Sequence, residues 1–192
     1  MVSTYFINLD HREDRKHHME EELMRMDIVA KRVPGVLTQP GGVGCARSHA
    51  AVLELGAIQS NPVLVLEDDV KFLVTPEEFK NLLAHLPADY DVVMFGYGGL
   101  EGGPVDATWG HVHAAHNACA YLVAPHYVSV LQHNILEAAA MFERAPMYHW
   151  LYSHDQYWKS LQKTGHWYYP LHCVARQIMS YSDIALCVTL RD

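Results

Sequence analysis

The sequence lacks the segments that direct a chain into or across a membrane. No basic stretch followed by a long apolar run opens it, so no secretory signal is visible. No window approaches the roughly 18 consecutive apolar residues that mark a membrane-spanning helix. We therefore expect a cytoplasmic protein without a transmembrane segment, and peripheral contact with a membrane surface stays open.

Positive charge is scarce in this chain. Its 14 lysines and arginines face 22 aspartates and glutamates, which gives a formal net charge of -8. This balance argues against the nucleic-acid backbone as a partner, so we expect no nucleic-acid binding. Half of the residues are hydrophobic and only 19% are charged, which is typical of a globular chain. The length of 192 residues suits a single domain spanning residues 1–192.

Cysteine motifs and zinc-protease motifs are missing as well. The four cysteines form no CxxC pair, and the 14 histidines include no HExxH spacing. We expect most of the histidines to be surface or packing residues. The cysteines are predicted to be reduced, mostly buried thiols of a cytosolic protein: Cys45, Cys119, Cys173 and Cys187.

Short apolar runs alternate with helix-like segments, and this alternation predicts an α/β layered domain. The run VLVL is unbroken, as expected of a central strand buried on both faces. The stretch CARSHAAVLELGAI is rich in alanine and leucine and is predicted to form a helix. The preceding PGVLTQPGGVG and the later YGGLEGGPVDATWGH are predicted to be loops from their glycine and proline content.

Three adjacent carboxylates, Glu67, Asp68 and Asp69, directly follow the VLVL strand. They repel one another and are costly to desolvate without a positive partner, so they form either a solvated turn or a cation site. Ligands of α/β sheets usually bind at the carboxyl ends of the strands. Hard carboxylate oxygens at that place suit Mg²⁺ or Mn²⁺, which would bridge them to a diphosphate. Both interpretations stay open at this point.

The segment GGVGCARSH places glycines directly before a predicted helix. Free N–H groups at a helix N-terminus favour a phosphate or another anion. The spacing differs from the GxxxxGK[ST] of a P-loop, so the segment is not a nucleoside-triphosphate loop of that kind. The alternative is an ordinary junction between a loop and a helix.

Three motifs follow one another along the chain: INLDHREDR, GVGCARSHAAVLE and LVLEDDV. Their combination, order and spacing resemble glycosyltransferase family 25, which includes lipopolysaccharide-type and collagen galactosyltransferases. The segments DVVMFG, ACAYLV and SYSDI continue the similarity over roughly residues 3–184. The resemblance implies a single GT-A-type, Rossmann-like nucleotide-sugar-binding domain with a mixed central sheet flanked by helices.

The resemblance also implies a reaction and its participants. The enzyme would use Mn²⁺ or Mg²⁺ and move a hexose, galactose or glucose, from a UDP-sugar to a glycan, lipid-linked or protein acceptor with inversion. Asp69 matches the metal ligand, with Glu67 and Asp68 in support. The C-terminal tail, residues 168–184, matches the family more loosely and adds His172 as a ligand. The residues expected on the donor side are Asn8, Asp10, Arg12, Arg15, Ser48, His49, Glu67 and Asp68. An alternative role for His49 is to tie down the glycine-rich segment.

Inverting transfer requires a base that takes the proton of the acceptor hydroxyl. Asp155 is the candidate, because the family has an acidic residue in this late region, and His154 beside it is a weaker choice. Alternatively, Asp155 is an acidic residue at a helix N-terminus. Gln177, Ser182 and Asp183 match the closing motif of the family and would hold the tail across the site. Two rival functions stay open: a non-catalytic nucleotide-sugar-binding protein and a metal-dependent phosphohydrolase.

Overall fold

A mixed eight-stranded sheet forms the centre of the protein. The structure is a computed structural model that describes residues 1–184 and the backbone of the strand at 187–189. The strand order of the central sheet is β2-β1-β3-β8-β5-β9-β7-β6, and two small sheets pair β10 with β4 and β11 with β12. The strands are β1 Ser3–Asn8, β2 Lys31–Pro34, β3 Val63–Glu67, β4 Val70–Phe72, β5 Val92–Met94, β6 Gly98–Pro104, β7 Trp109–His116, β8 Ala120–Val123, β9 Trp167–Pro170, β10 Ala175–Gln177, β11 Ser180–Ser182 and β12 Cys187–Thr189.

Helices cover both faces of the central sheet. Helices α2 and α4 pack against each other over one face, and α1 and α3 contribute to the core on the other face. Within the described residues, no helix has the length and apolar character needed to cross a membrane. The helices are α1 Glu13–Arg25, α2 Gly41–Ala57, α3 Pro76–Ala84, α4 Val128–Arg144, α5 His149–Tyr152, α6 His154–Tyr157 and α7 Lys159–Gln162.

Strand β3 is the central strand that its apolar run predicts. Val63 and Val65 belong to the core under α2 and α4, whereas Leu64 and Leu66 belong to the core on the opposite face. It pairs in parallel with β1 and antiparallel with β8, so the sheet is mixed. The parallel pairing brings the carboxyl ends of β1 and β3 to the same edge of the sheet, where their following residues meet.

The glycines of GGVG are helical, which corrects the loop predicted for them. Helix α2 begins at Gly41, so these glycines form its first turns. A Cβ atom at Gly44 would lie 2.1 Å from the carbonyl oxygen of Val36, a distance that no side chain tolerates. Glycine therefore permits the preceding loop to pack directly against the helix, and its role here is close approach.

The second predicted loop is a β-hairpin. Strands β6 and β7 pair antiparallel at the edge of the central sheet, because backbone hydrogen bonding needs no side chains and glycine permits close approach. The Asp106 carboxylate accepts hydrogen bonds from the backbone N–H groups of Thr108 and Trp109 and fixes the turn. Trp109 itself is buried, which anchors the second strand.

The cysteines agree only partly with the prediction of buried thiols. Cys119 is buried, Cys45 is half-buried and Cys173 is exposed. The prediction for the side chain of Cys187 falls outside the described residues.

A buried carboxylate, Glu22 of α1, fixes the strand that follows the acidic turn. Its side chain is 2% exposed and accepts hydrogen bonds from the backbone N–H of Phe72 at 2.7 Å and from Lys71 Nζ at 2.7 Å. Arg25 donates to both of its oxygens. Burial alone would raise the pKa of Glu22, but the bonds from Arg25, Lys71 and Phe72 outweigh it and lower the pKa to about 2. Glu22 thus holds β4, and with it the turn at residues 68–69, against α1.

We expect Glu22→Gln to destabilise the fold by about 2 kcal/mol at neutral pH, because it removes charge-assisted hydrogen bonds from a buried site. The unfolded carboxylate titrates near its ordinary value, above the folded one. The stabilisation is therefore complete above about pH 4.5 and is lost as the pH falls through about 2. Urea unfolding at pH 7 and pH 3 checks both statements. Glu21→Gln, at an exposed neighbouring position, is the control, and equal effects of the two variants would contradict the prediction.

Candidate functional site

A cavity of about 300 Å³ opens at the carboxyl ends of β1 and β3. The segment after β1, the start of α2, the turn between β3 and β4, and residues 153–155 line it. Residues 117–118 join them because Ala120, at the start of β8, pairs with Leu66 near the end of β3. The tail residues 182–184 complete the wall. The volume lies at the lower end of the range for small-molecule sites.

Most residues predicted from the sequence meet in this cavity. Asp10 and His172 are not among its lining residues. Asp10 is exposed and pairs with Arg32 at 2.6 Å, and His172 is also exposed. The predicted residues that do line the cavity are Asn8, Arg12, Arg15, Ser48, His49, Glu67, Asp68, Asp69 and Asp155.

The Asp69 carboxylate is buried at the end of the acidic turn. Strand β3 ends at Glu67 and β4 begins at Val70, so Asp69 lies between two strands. Its carboxylate accepts a hydrogen bond from Gln177 Nε2 at 3.1 Å and lies 3.2 Å from Arg15 Nη2. Gln177 also donates to Glu67 at 2.7 Å. Because Gln177 belongs to β10, which pairs with β4, the tail fixes two of the three carboxylates.

Asp68 is the carboxylate that binds the N-terminal motif. It accepts hydrogen bonds from Asn8 Nδ2 at 2.7 Å and from Arg15 Nη1 at 3.0 Å. Burial raises the pKa of Asp68, and the neighbouring Arg15 and Asn8 offset part of that effect. Arg15 therefore lies between Asp68 and Asp69 and compensates charge on both.

The two arginines of the N-terminal motif connect it to the tail. Arg12 donates to the carbonyl oxygen of Tyr181 at 2.9 Å and pairs with Asp183, and its hydrogen bond with Asp14 raises its pKa. Arg15 donates to Ser180 Oγ at 2.7 Å. Each arginine thus contacts the tail and lines the cavity, and Arg15 also places positive charge beside the acidic turn.

Ser48 and His49 differ in what they contact, although they are neighbours on α2. Ser48 Oγ accepts from the backbone N–H of Val36 at 2.8 Å and donates to the Gly44 carbonyl at 2.7 Å, so Ser48 ties the preceding loop to the helix. His49 contacts the Tyr121 hydroxyl at 2.8 Å and Glu67 at 3.3 Å. Tying down the loop, the alternative considered for His49, is therefore done by Ser48. Burial lowers the pKa of His49 to about 4.

A cluster that the sequence did not indicate lies where α2 and α6 form the inner wall of the cavity: Cys45, His49 and His154. One ligand atom from each residue lies within 4.8 Å of the others, and the two imidazole rings are 4.6 Å apart. Burial, followed by the proximity of His49, lowers the pKa of His154 to about 4. Burial and the charges of Glu67 and Asp155 raise the pKa of the Cys45 thiol well above its usual value. Cys45 is therefore a thiol at neutral pH and a poor nucleophile.

Asp155 lies in the first turn of α6 and faces the cavity. Its Oδ2 accepts a hydrogen bond from the backbone N–H of Asn117 at 3.0 Å. Asn117 has a positive φ of 76° and accepts from the N–H of Cys119 through its own side chain. The Asp155 carboxylate thus fixes the turn before β8 and also lines the cavity.

Comparison with solved structures shows the fold. The similarity to the protein A197 of STIV covers 100% of this chain and 95% of that chain, with a TM-score of 0.56 and 16% sequence identity. The similarity to a glycosyltransferase involved in the glycosylation of the major capsid of PBCV-1 covers 93% of this chain and 94% of that chain, with a TM-score of 0.60 and 8% sequence identity. A scan against protein-family models gives no match, and a comparison with curated proteins gives none either. The GT-A-like α/β fold predicted from the sequence is confirmed.

Proposed function

We propose that the protein is a metal-dependent, inverting glycosyltransferase related to family 25 that moves a hexose from a UDP-sugar to a hydroxyl-bearing acceptor. The observation that carries the proposal is the acidic turn of Glu67, Asp68 and Asp69, which lines the cavity at the carboxyl end of a central strand in a GT-A-like fold. A nucleotide sugar would bring a diphosphate to this edge of the sheet.

The residues of the acidic turn fit a hard divalent cation. Their carboxylates supply oxygen ligands, and Asp69 is buried against Gln177 and Arg15, which hold its orientation. Asp69 would be the main ligand. Glu67 would support it, because the Gln177 amide donates hydrogen bonds to both carboxylates. When bound, Mn²⁺ or Mg²⁺ would supply positive charge against the diphosphate leaving group.

The donor side of the cavity carries further groups suited to a diphosphate. Gly41 and Gly42 line the cavity at the start of α2, where the helix dipole and N–H groups favour an anion. Arg12 and Arg15 also line the cavity and would add positive charge near the diphosphate. Because Arg15 also contacts Asp68 and Asp69, it would hold the acidic turn and the donor in one arrangement.

The acceptor would be activated by Asp155. Its carboxylate would take the proton of an acceptor hydroxyl as that oxygen attacks the anomeric carbon. The bond between the sugar and the diphosphate breaks on the opposite face, and UDP leaves with the bonding electron pair. The backbone N–H of Asn117 holds one oxygen of Asp155, so the carboxylate is positioned by the turn before β8.

The proposal predicts Mn²⁺-dependent release of UDP from a UDP-hexose. A panel of UDP-glucose, UDP-galactose, GDP-mannose and simple phosphate esters, each with Mn²⁺ or with chelator, would test it. We expect turnover of at least one UDP-sugar, increased by a glycan acceptor and lost with chelator. Release of phosphate from simple esters would instead indicate a phosphohydrolase. Nucleotide-sugar binding without turnover, with every acceptor class tried, would indicate a non-catalytic protein.

A further inference from the structure

The inner wall of the cavity carries a group of soft ligands that the proposed reaction does not use. Cys45 and His49 are four residues apart on α2 and therefore share a face of the helix, and His154 of α6 lies opposite them. One ligand atom from each lies within 4.8 Å of the others. Thiolate and imidazole are typical ligands of Zn²⁺, whereas the hard carboxylates of the acidic turn suit Mn²⁺ or Mg²⁺.

An unpartnered buried atom points independently to a missing ligand. His154 is 5% exposed, and its Nε2 has no hydrogen-bond partner among the described residues although the residue lines the cavity. Buried polar atoms are nearly always hydrogen-bonded, so such an atom needs an explanation. A bound cation would satisfy it.

The second ligand is already oriented in the way that metal-bound histidines are. His49 Nδ1 lies 2.8 Å from the Tyr121 hydroxyl, which either donates to it or accepts from it. Nε2 is within hydrogen-bond distance of Glu67 Oε1, at 3.3 Å, and would exchange this contact for the ion. Histidines that bind metals usually have their other ring nitrogen held by such a hydrogen bond.

We propose that Cys45, His49 and His154 form a binding site for a thiophilic divalent cation, Zn²⁺ in the first instance, with a fourth position open to the cavity. Because no two of these atoms are more than 4.8 Å apart, an ion at their centre lies at most about 2.8 Å from each, and side-chain movements of less than about 1 Å reach the usual bond lengths. Glu67 Oε1, 4.0 Å from Cys45 Sγ, is within reach of the fourth position. Binding releases the thiol proton to solvent.

The site would link two helices that are distant in the sequence. Cys45 and His49 belong to α2, and His154 precedes Asp155 in α6. A bound ion would therefore hold Asp155 against the helix that begins at the donor side of the cavity. The inference does not rest on the proposed glycosyltransferase function, because it requires neither a nucleotide nor the acidic turn.

Cobalt spectroscopy on the purified, chelator-treated protein tests the site directly. We expect added Co²⁺ to produce a thiolate-to-cobalt charge-transfer band and intense visible bands of tetrahedral cobalt, which Zn²⁺ then abolishes. Cys45→Ser should lose the charge-transfer band, and His154→Gln should weaken Co²⁺ binding at least tenfold. Cys173→Ser, which alters an exposed thiol outside the cluster, and Asp69→Asn, which alters the acidic turn, should both keep the band.

A thermal readout keeps the test decisive if one variant folds poorly. Zn²⁺ at about 100 times its dissociation constant should raise the melting temperature of the unaltered protein by about 5–10 °C, and His154→Gln should lose most of that increase. Absence of a charge-transfer band, or a band that survives Cys45→Ser, would overturn the proposal. Loss of the band in folded Asp69→Asn would also overturn it, because the site would then depend on the acidic turn.

Discussion

Asp69→Asn is expected to reduce turnover of the UDP-sugar at least about 10³-fold. The substitution keeps the size of the side chain and an acceptor for Gln177, but it removes the charge that would bind the divalent cation. A metal that neutralises a leaving diphosphate contributes several kcal/mol to the transition state, and each 1.36 kcal/mol is about tenfold in rate. Steady-state rates over a range of Mn²⁺ concentrations give the measurement.

The matched control for Asp69→Asn is Asp27→Asn. Asp27 is exposed after α1 and pairs with Lys80, outside the cavity, and its positive φ of 52° suits asparagine equally well. We expect this variant to retain normal turnover. Circular dichroism and urea unfolding establish that both variants are folded. Near-normal turnover of folded Asp69→Asn would contradict the assignment of the metal to the acidic turn.

Asp155→Asn should lower kcat about 10²–10⁴-fold, the usual contribution of a general base. Asparagine can still accept the hydrogen bond from the N–H of Asn117, so the turn before β8 should be preserved. Because Asp155 is proposed to act on the acceptor, the affinity for UDP should not change. Single-turnover rates, together with UDP affinity measured separately, distinguish loss of chemistry from loss of donor binding.

A near-normal rate of folded Asp155→Asn would contradict its role as the base. Asp155 would then have only the structural role that its contact with Asn117 shows.

The sequence predicts the centre of the fold better than its edges. The unbroken apolar run at Val63–Leu66 indicates a strand buried on both faces, because each face of β3 meets its own helical layer. The start of α2 was predicted one turn too late, since glycine is normally a helix breaker and its close contact with Val36 is visible only in three dimensions. The hairpin of β6 and β7 was missed because its pairing depends on the backbone.

The site was predictable where strand order brings motifs together. The N-terminal motif and the acidic turn follow β1 and β3, which are parallel neighbours, so their residues had to meet. The contact of Gln177 with Glu67 and Asp69 depends on the pairing of β10 with β4, for which residue spacing gives no signal. His154 reaches Cys45 and His49 only through the packing of α6, so the sequence did not indicate that cluster.

Calorimetric titration of UDP with and without Mn²⁺ tests the central claim, that the acidic turn holds a divalent cation which binds a nucleotide diphosphate. We predict one saturable site for UDP in the presence of Mn²⁺, at least about tenfold weaker binding with chelator, and no gain from Mn²⁺ in Asp69→Asn. UDP binding that is undetectable in both conditions, or that is equally tight with and without Mn²⁺, would contradict the claim.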